Sequence, residues 1–263
     1  MQPVPNSPES RSLAVFCDFE NVALGVREAR YAQFDMEKVL ERLLLKGSIV
    51  VKKAYCDWER YKEFKATMHA AAFELIEIPH VRQSGKNSAD IRMVVDALDL
   101  CYTKQHVDTF VIVSGDSDFS PLVSKLRENA KLVIGVGVKN SSSDLLINNC
   151  DEFIYYDDLV RADEQKRRAA KKRKESAPAG QDKKQEAFDL LLGTLEALVA
   201  ERGADEKIWG SMVKQALKRR NPGFNETYYG YRAFSDLLEE AGEKGLIRLE
   251  PDEKSGGYIL RPA

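Results

Sequence analysis

The sequence predicts an α/β fold over residues 11–160, with a parallel sheet covered by helices, followed by a small winged helix-turn-helix domain. Short apolar runs alternate with segments of helical periodicity in the first part, which is typical of βαβ units. The chain then becomes polar and basic, and after residue 185 helical patterns precede two short strand-like pieces. Three small helices with a hairpin are the outline of a winged helix.

The strands of the first domain are predicted from short apolar or β-branched runs, as expected for strands buried on both faces. These runs lie at residues 13–17, 48–56, 75–79, 109–114, 132–138 and 152–156. Helices are predicted between them from apolar positions three and four residues apart and from stop signals such as Gly47. They lie at residues 35–46, 58–74, 88–105, 119–129 and 144–150.

The second part of the chain divides into a linker and a domain. Residues 161–184 combine a run rich in Lys and Arg with a Ser-, Pro- and Gly-containing stretch, which predicts a basic flexible linker. The basic run is either a solvated connection or a tether that attracts phosphate. Within residues 185–262, three helices and two strands are predicted at 185–201, 208–219, 232–244, 247–250 and 257–260.

Bulk composition excludes several classes of protein. A hydrophobic content of 43% in 263 residues supports real cores, and no apolar run approaches the ~20 residues of a membrane helix. The N-terminal residues 1–11 lack the apolar core of a signal peptide. The four cysteines lie far apart, without a C-x-x-C pair, so neither a zinc knuckle nor a disulfide framework is expected. We expect a cytoplasmic protein with no membrane partner, and the oligomeric state stays open.

Four aspartates lie where strands end or a helix begins. Asp18 ends the first strand, Asp116 and Asp118 follow the strand at 109–114, and Asp90 opens a helix. In an open α/β sheet, ligands bind beyond the carboxyl ends of strands where the strand order reverses. If the first and fourth strands flank that point, these carboxylates meet there. An oxygen-only set suits Mg²⁺ or Mn²⁺, and such a metal promotes phosphodiester hydrolysis.

Each aspartate also has a structural interpretation. Asp90 could complement its helix dipole, and Asp118 could cap the helix that follows it. Asp18 directly ends an apolar strand, where no routine cap role is expected, so we interpret it as functional.

Three polar neighbours complete the candidate site. Asn21 could hold a metal-bound water or bridge the loop, and Ser114 offers a hydroxyl to the same cavity as a candidate RNA contact. Lys86 could meet a substrate phosphate or be a solvated lysine.

Three motifs resemble one family. They are FCDFEN at residues 16–21, GKNSAD at 85–90 and VSGDSDF at 113–119. In this order they resemble the NYN domain, in its LabA-like branch of the PIN-like nuclease superfamily. The resemblance covers residues 11–160 and implies a PIN-like α/β/α sandwich with metal-dependent ribonuclease activity. Asp144 and Asp151 also lie where the family has acidic residues, and we do not expect Asp151 to be a ligand.

The C-terminal part is similar to the OST-HTH (LOTUS) domain, on residues 209–224 and 229–234. The resemblance implies RNA binding, since related domains bind RNA, some with a preference for G-rich or quadruplex forms. It also implies that a protein partner could be recruited instead. Basic side chains attract phosphate and aromatic faces stack on bases, although the tyrosines could equally belong to the core. The candidate RNA contacts here are Lys214, Lys218, Arg219, Arg220, Tyr229 and Tyr231.

The leading hypothesis is an RNA-cleaving hydrolase dependent on Mg²⁺ or Mn²⁺, with RNA recruited by the second domain and the linker. Its candidate catalytic residues are Asp18, Asp90, Asp116, Asp118 and Asn21, the four aspartates also being the metal ligands. The alternative is a non-catalytic RNA-binding or adaptor protein with a residual nuclease fold. A phosphatase of the haloacid dehalogenase type is disfavoured because Glu20 stands where its second aspartate belongs.

Overall fold

The computed structural model describes residues 11–31, 33–78, 88–174, 183–203, 205–252 and 257–263. The chain divides into two compact units, one built mainly from residues up to 171 and the other mainly from residue 172 onward. Among the described residues, no helix has the length and apolar character needed to cross a membrane.

Six parallel strands form the sheet of the first unit: β1 (Ser12–Asp18), β2 (Ser48–Cys56), β3 (Glu74–Glu77), β4 (Thr109–Val113), β5 (Leu132–Gly137) and β6 (Glu152–Tyr155). Their spatial order is β3-β2-β1-β4-β5-β6. The chain therefore builds outward from β1 in one direction, then crosses back and builds outward from β4 in the other. The predicted adjacency of the first and fourth strands is confirmed, since Cys17 pairs with Val113 in a parallel ladder.

The described residues of this unit form the helices α1 (Phe19–Glu28), α2 (Met36–Leu44), α3 (Lys62–Ala70), α4 (Ser88–Thr103), α5 (Ser120–Glu128), α6 (Asp144–Asn149) and α7 (Tyr156–Lys174). Alternate residues of a strand point to opposite sides, so the buried strands have two apolar faces. The helices cover both of them. Along β1, Val15 packs in one core with side chains of α1, α2 and α3. Phe16 packs in the other core with side chains of α4, α5 and α6. The predicted α/β sandwich with a parallel sheet is confirmed.

Two helices differ from the prediction. Helix α1 was not predicted, although its buried Phe19, Val22 and Val26 have helical spacing. The helix expected over residues 58–74 is limited to α3, because Trp58 is buried in an irregular turn, where its ring lies 5.1 Å from that of Phe19. At the other end, Ala72 has a φ of 57°, which ends the helix before β3.

Helix α7 also corrects the predicted start of the linker. Its residues run without interruption from Tyr156 to Lys174, so residues 161–174 are helical rather than irregular. The rest of the predicted linker, up to residue 182, lies outside the described residues.

The second unit contains helices α8 (Lys183–Arg202), α9 (Gly210–Arg220) and α10 (Phe234–Glu243) and strands β7 (Ile208–Trp209), β8 (Ile247–Asp252) and β9 (Gly257–Pro262). The strands form an antiparallel sheet in the order β7-β9-β8. The helix predicted from residue 208 begins two residues later, because Ile208 pairs with Leu260 of β9. Leu191, Leu217 and Leu237, one from each helix, are fully buried in a common core.

Candidate active site

Asp18 is the buried carboxylate at the centre of the site. It ends β1 and is also the N-cap of α1, where its Oδ1 accepts a hydrogen bond from the backbone N–H of Asn21 over 3.3 Å. Its Oδ2 accepts a hydrogen bond from the Ser114 hydroxyl over 3.0 Å. The expectation that Asp18 has no cap role was therefore wrong, because the unpredicted helix α1 starts directly after it.

The loop after β4 is held by a chain of hydrogen bonds. The Ser114 Oγ accepts from the Asp116 N–H over 3.1 Å, and the Asp116 carboxylate accepts from the Asp118 N–H over 2.9 Å. Asp116 is thus the cap of the 3₁₀ turn Ser117–Phe119, whereas Asp118 lies inside that turn and the N-cap of α5 is Phe119. The Asn21 Oδ1 accepts from the Gly115 N–H over 2.9 Å, so Asn21 bridges α1 and this loop.

A serine-rich segment packs against the same loop and was not predicted as part of the site. The Ser143 N–H donates to the Gly115 carbonyl over 2.9 Å. A Cβ at Gly115 would lie only 2.4 Å from the Ser141 carbonyl oxygen, so the loop after β4 can approach this backbone only with glycine there. The run of three serines at residues 141–143, just before α6, was the available signal.

Electrostatic coupling shows which carboxylates lie together. Burial and the nearby Asp90 raise the pKa of Asp18 to about 7, with a smaller contribution from Asp116. Burial, Asp116, Asp118 and Glu20 raise the pKa of Asp90 to about 6. The four predicted aspartates therefore form one electrostatic cluster, which we call the carboxylate cluster. Unpaired negative charges in a partly desolvated place repel one another and take up protons more readily.

Glu20 is an additional member that sequence reasoning missed. It faces Asp90 closely enough to raise the pKa of that group, and it also accepts a hydrogen bond from Arg60 over 3.2 Å. The signal was its place in the FCDFEN motif, two residues after Asp18. Arg60 compensates part of the negative charge at this edge.

The fit of a metal ion is mixed. Carboxylate oxygens are the donors that hard divalent cations prefer, and a cation would relieve the repulsion that raises the two pKa values. Yet in the ranges that the structure describes, no three His, Cys, Asp or Glu side chains are arranged to hold one ion. Sharing an ion therefore requires side-chain motion within the cluster. The donor chemistry fits, and the arrangement is not preformed.

Several predicted contacts are corrected or fall outside the structure. Ser114 is fully buried and bonded to Asp18, so it supports the cluster instead of touching RNA. Lys86 lies outside the described residues. Asp151 accepts hydrogen bonds from the Arg127 side chain and the Val133 N–H, which occupy it structurally.

The tyrosines proposed as stacking faces in the second unit are core residues. Tyr229 and Tyr231 are 8% and 5% exposed. The Tyr229 ring lies 5.3 Å from that of Phe224, and Tyr231 packs edge-on against Phe188. Their ring faces are thus packed within the protein, which argues against the predicted stacking on RNA bases. Tyr228, between the motifs, is 58% exposed instead.

The basic residues predicted there are partly engaged. Lys214 and Lys218 lie 3.0 and 3.7 Å from the same Glu226 carboxylate oxygen. The Arg220 guanidinium donates to the Thr194 hydroxyl over 3.5 Å, and Arg219 is half-buried. Both lysines keep more than a third of their side chains exposed, so they retain access to a phosphate.

Comparisons with known proteins agree with this geometry. The NYN domain profile matches residues 12–157. An uncharacterized protein of Methanocaldococcus jannaschii is 29% identical over 132 residues, which are 50% of this chain and 52% of that protein. Meiosis regulator and mRNA stability factor 1 of Xenopus tropicalis is 26% identical over 148 residues, or 56% of this chain and 9% of that protein. The match thus spans about half of one relative and about a tenth of the other.

A solved structure is similar to part of this chain. The crystal structure of a protein of unknown function from Vibrio parahaemolyticus has a TM-score of 0.52 and 28% identity. The match covers 59% of this chain and 98% of that one. NYN domains are generally ribonuclease domains, so the profile match supports a nuclease-type, RNA-related function.

Proposed function

Because the chain belongs to the NYN domain family, we propose that its first unit is a ribonuclease that hydrolyses RNA phosphodiester bonds with Mg²⁺ or Mn²⁺. The observation that carries the proposal is the state of Asp18. It is 7% exposed, its pKa is raised to about 7, and Asp90 is the largest source of that shift after burial. A fold that gathers such carboxylates at the switch point of a parallel sheet holds them for a cation.

The residues that would hold the cation are Asp18, Asp90, Asp116 and Asp118. When bound, the ion would supply an activated water and neutralise the negative charge that develops on the phosphate. PIN-like nucleases usually use divalent metals, in agreement with this donor set.

The surrounding residues orient the carboxylates. The Ser114 hydroxyl donates a hydrogen bond to one oxygen of Asp18 and accepts one from the Asp116 N–H. Asn21 ties the start of α1 to Gly115. Asp18 at the end of β1 and Asp116 in the loop after β4 are thereby positioned through a single hydroxyl and a single amide. These hydrogen bonds limit the side-chain motion that Asp18 and Asp116 need when a cation and an RNA phosphate bind.

RNA recruitment is proposed for the second unit and the basic segment before it. Three helices with a small antiparallel sheet support a winged helix of the OST-HTH (LOTUS) type. Its candidate contacts are the partly exposed Lys214 and the exposed Lys218 and Tyr228, because cations attract phosphate and an exposed ring can stack on a base. Tethering RNA there would raise its local concentration at the carboxylate cluster.

The test is cleavage of a labelled single-stranded RNA by the full chain with Mn²⁺, with Mg²⁺ and with a chelator. Asp90→Asn should abolish cleavage. Asp99→Asn changes an exposed aspartate on the same helix, outside the cluster, and should leave cleavage intact. Equal cleavage by wild type, Asp90→Asn and Asp116→Asn would assign the activity to a contaminant.

One observation favours a second candidate, a non-catalytic RNA-binding protein with a residual nuclease fold. The described residues contain no preformed metal-ligand triad. Under this alternative the full chain binds RNA equally well with and without divalent cations, and Asp90→Asn changes neither binding nor turnover. Loss of binding on deleting residues 183–263 would assign the affinity to the second unit.

A further inference from the structure

Three exposed apolar side chains lie around one groove of the first unit. Ile91 and Val95, one turn apart on α4, are 63% and 56% exposed, and Leu145 at the start of α6 is 58% exposed. All three line a groove of about 690 Å³ between α4, α5 and α6, which we call the α4–α5 groove. Apolar side chains gathered in one concave place mark a binding surface more often than isolated ones do.

The α4–α5 groove begins at the carboxylate cluster. Asp90 and Asp118 line it together with the apolar residues, and both belong to the cluster through their coupling. A ligand whose phosphate lies at the carboxylates therefore has this groove as an immediate neighbour. One RNA ligand can therefore occupy both the carboxylate cluster and the groove.

The lining of the groove favours a neutral, planar group. Asp90 and Asp118 are its charged lining residues, and no lysine or arginine lines it among the described residues, so a second phosphate would meet repulsion. Hydroxyl groups are present instead, on Ser117, Ser120 and Ser124. Ser120 is 6% exposed, and its Oγ has no hydrogen-bond partner in the described part of the chain. A nucleobase has apolar faces and a hydrogen-bonding edge, which match both features.

We infer that the α4–α5 groove seats an unpaired nucleobase of the RNA whose phosphate is bound at the carboxylate cluster. The inference rests on the proposed ribonuclease function and adds a nucleobase subsite beside its carboxylate cluster. A base in a duplex is paired and stacked, and moving it into the groove requires breaking those contacts. Ile91, Val95 and Leu145 thus contact the substrate, while the chemistry stays with the carboxylates.

The test compares Val95→Asn with Val50→Asn in the full chain. Val50 is 48% exposed on β2 and does not line the groove, so the same change is made at similar exposure. With a fluorescein-labelled single-stranded RNA and Mn²⁺, Val95→Asn should raise KM about tenfold, equivalent to about 1.4 kcal/mol, and leave kcat nearly unchanged. Val50→Asn should change neither constant. The same RNA annealed to its complement should be cleaved poorly by all three proteins.

A second measurement does not depend on turnover. RNA carrying 4-thiouridine, irradiated directly after mixing with wild-type protein, should crosslink to peptides from α4 or α6. Normal cleavage with equal KM for the two variants, or crosslinks confined to other peptides, would contradict the nucleobase site in the groove. Neither result would contradict the proposed ribonuclease function. Crosslinks in the groove without any cleavage would support the nucleobase site and contradict the proposed ribonuclease function. A wild-type dimer that Val95→Asn dissociates in sedimentation would assign the groove to a second copy of the chain and overturn the inference.

Discussion

The Ser114 hydroxyl donates a 3.0 Å hydrogen bond to Asp18 Oδ2, and this bond joins the carboxyl ends of two neighbouring strands. Both side chains are buried. The Ser114 hydroxyl also accepts a hydrogen bond from the Asp116 N–H. One hydroxyl therefore positions two acidic residues that are 98 positions apart in the chain. The geometry of the carboxylate cluster depends on this small contact.

Replacing Ser114 with alanine should weaken the cluster. A buried Asp18 oxygen and the Asp116 N–H lose their partner, which costs about 1–3 kcal/mol of unfolding free energy. Mn²⁺ affinity should fall about 10–100-fold, as is typical when a residue that orients a ligand is removed. Chemical denaturation and calorimetric titration measure these two effects. Ser120→Ala is the control for stability, since the Ser120 hydroxyl is buried without a described partner, and it should cost almost nothing.

Asp18→Asn should stabilise the metal-free protein at neutral and higher pH. The pKa of Asp18 is raised from 3.8 to about 7 in the folded chain, so protonation favours the fold at low pH. That stability is fully present below about pH 4 and is lost as the pH rises toward about 7. The asparagine variant has no such loss, and its advantage at about pH 8 should approach, at most, about 4 kcal/mol.

Urea denaturation of the metal-free proteins between about pH 4 and 8 checks this expectation. The difference between variant and wild type should grow steadily across that range. Saturating Mn²⁺ should then stabilise the wild type much more than the variant. A pH-independent difference would show that Asp18 is not desolvated and repelled in the way described.

Gly115→Ala should disrupt the loop after β4. The new Cβ would meet the Ser141 carbonyl oxygen at 2.4 Å and the Ser142 Cα at 2.9 Å, and backbone cannot rotate away. We expect a loss of about 1–3 kcal/mol or more, together with loss of the Asn21 bridge. Gly25→Ala is the matched control, because its Cβ meets the rotatable Ser141 hydroxyl at 2.4 Å. That variant should stay within about 1 kcal/mol of the wild type by thermal or chemical denaturation.

The tyrosines of the second unit should separate into two kinds. Tyr231→Ala removes a buried ring from the core and should destabilise that unit by about 3–5 kcal/mol. Tyr228→Ala removes a ring that is 58% exposed and lies 4.4 Å from the Lys183 ammonium, and it should leave stability nearly unchanged. If the unit binds RNA, Tyr228→Ala should weaken binding roughly fivefold or more, since stacking contributes about 1–3 kcal/mol per base. Fluorescence anisotropy with labelled RNA measures the effect, and unchanged binding would exclude Tyr228 as a stacking face.

Most of the first fold could be predicted because its strands are short apolar runs with glycine or charge at their ends. Helix α1 was missed for a physical reason. Asp18 has two roles, as a carboxylate of the cluster and as the N-cap of that helix. Its position at the end of an apolar strand indicated only the first role. Periodicity alone also could not stop the helix at 58–74, because Trp58 is held by a tertiary contact with Phe19.

The candidate site was partly predictable for the same reason. Carboxylates at strand ends converge wherever the sheet places those ends, so Asp18 and Asp116 could be placed together before the structure was known. Ser141 could not, since its part in the site is a backbone contact with Gly115. Nor could the burial of Tyr231 be separated from exposure, because an aromatic residue next to basic residues has the same sequence pattern in a core and at an interface.

The most direct test of the central claim is an anomalous-scattering map from crystals of the full chain grown with Mn²⁺. The account predicts a manganese peak bounded by carboxylate oxygens of Asp18, Asp90 and Asp116, with Ser114 still bonded to Asp18. A map in which saturating Mn²⁺ leaves these side chains apart, with no peak among them, would contradict it.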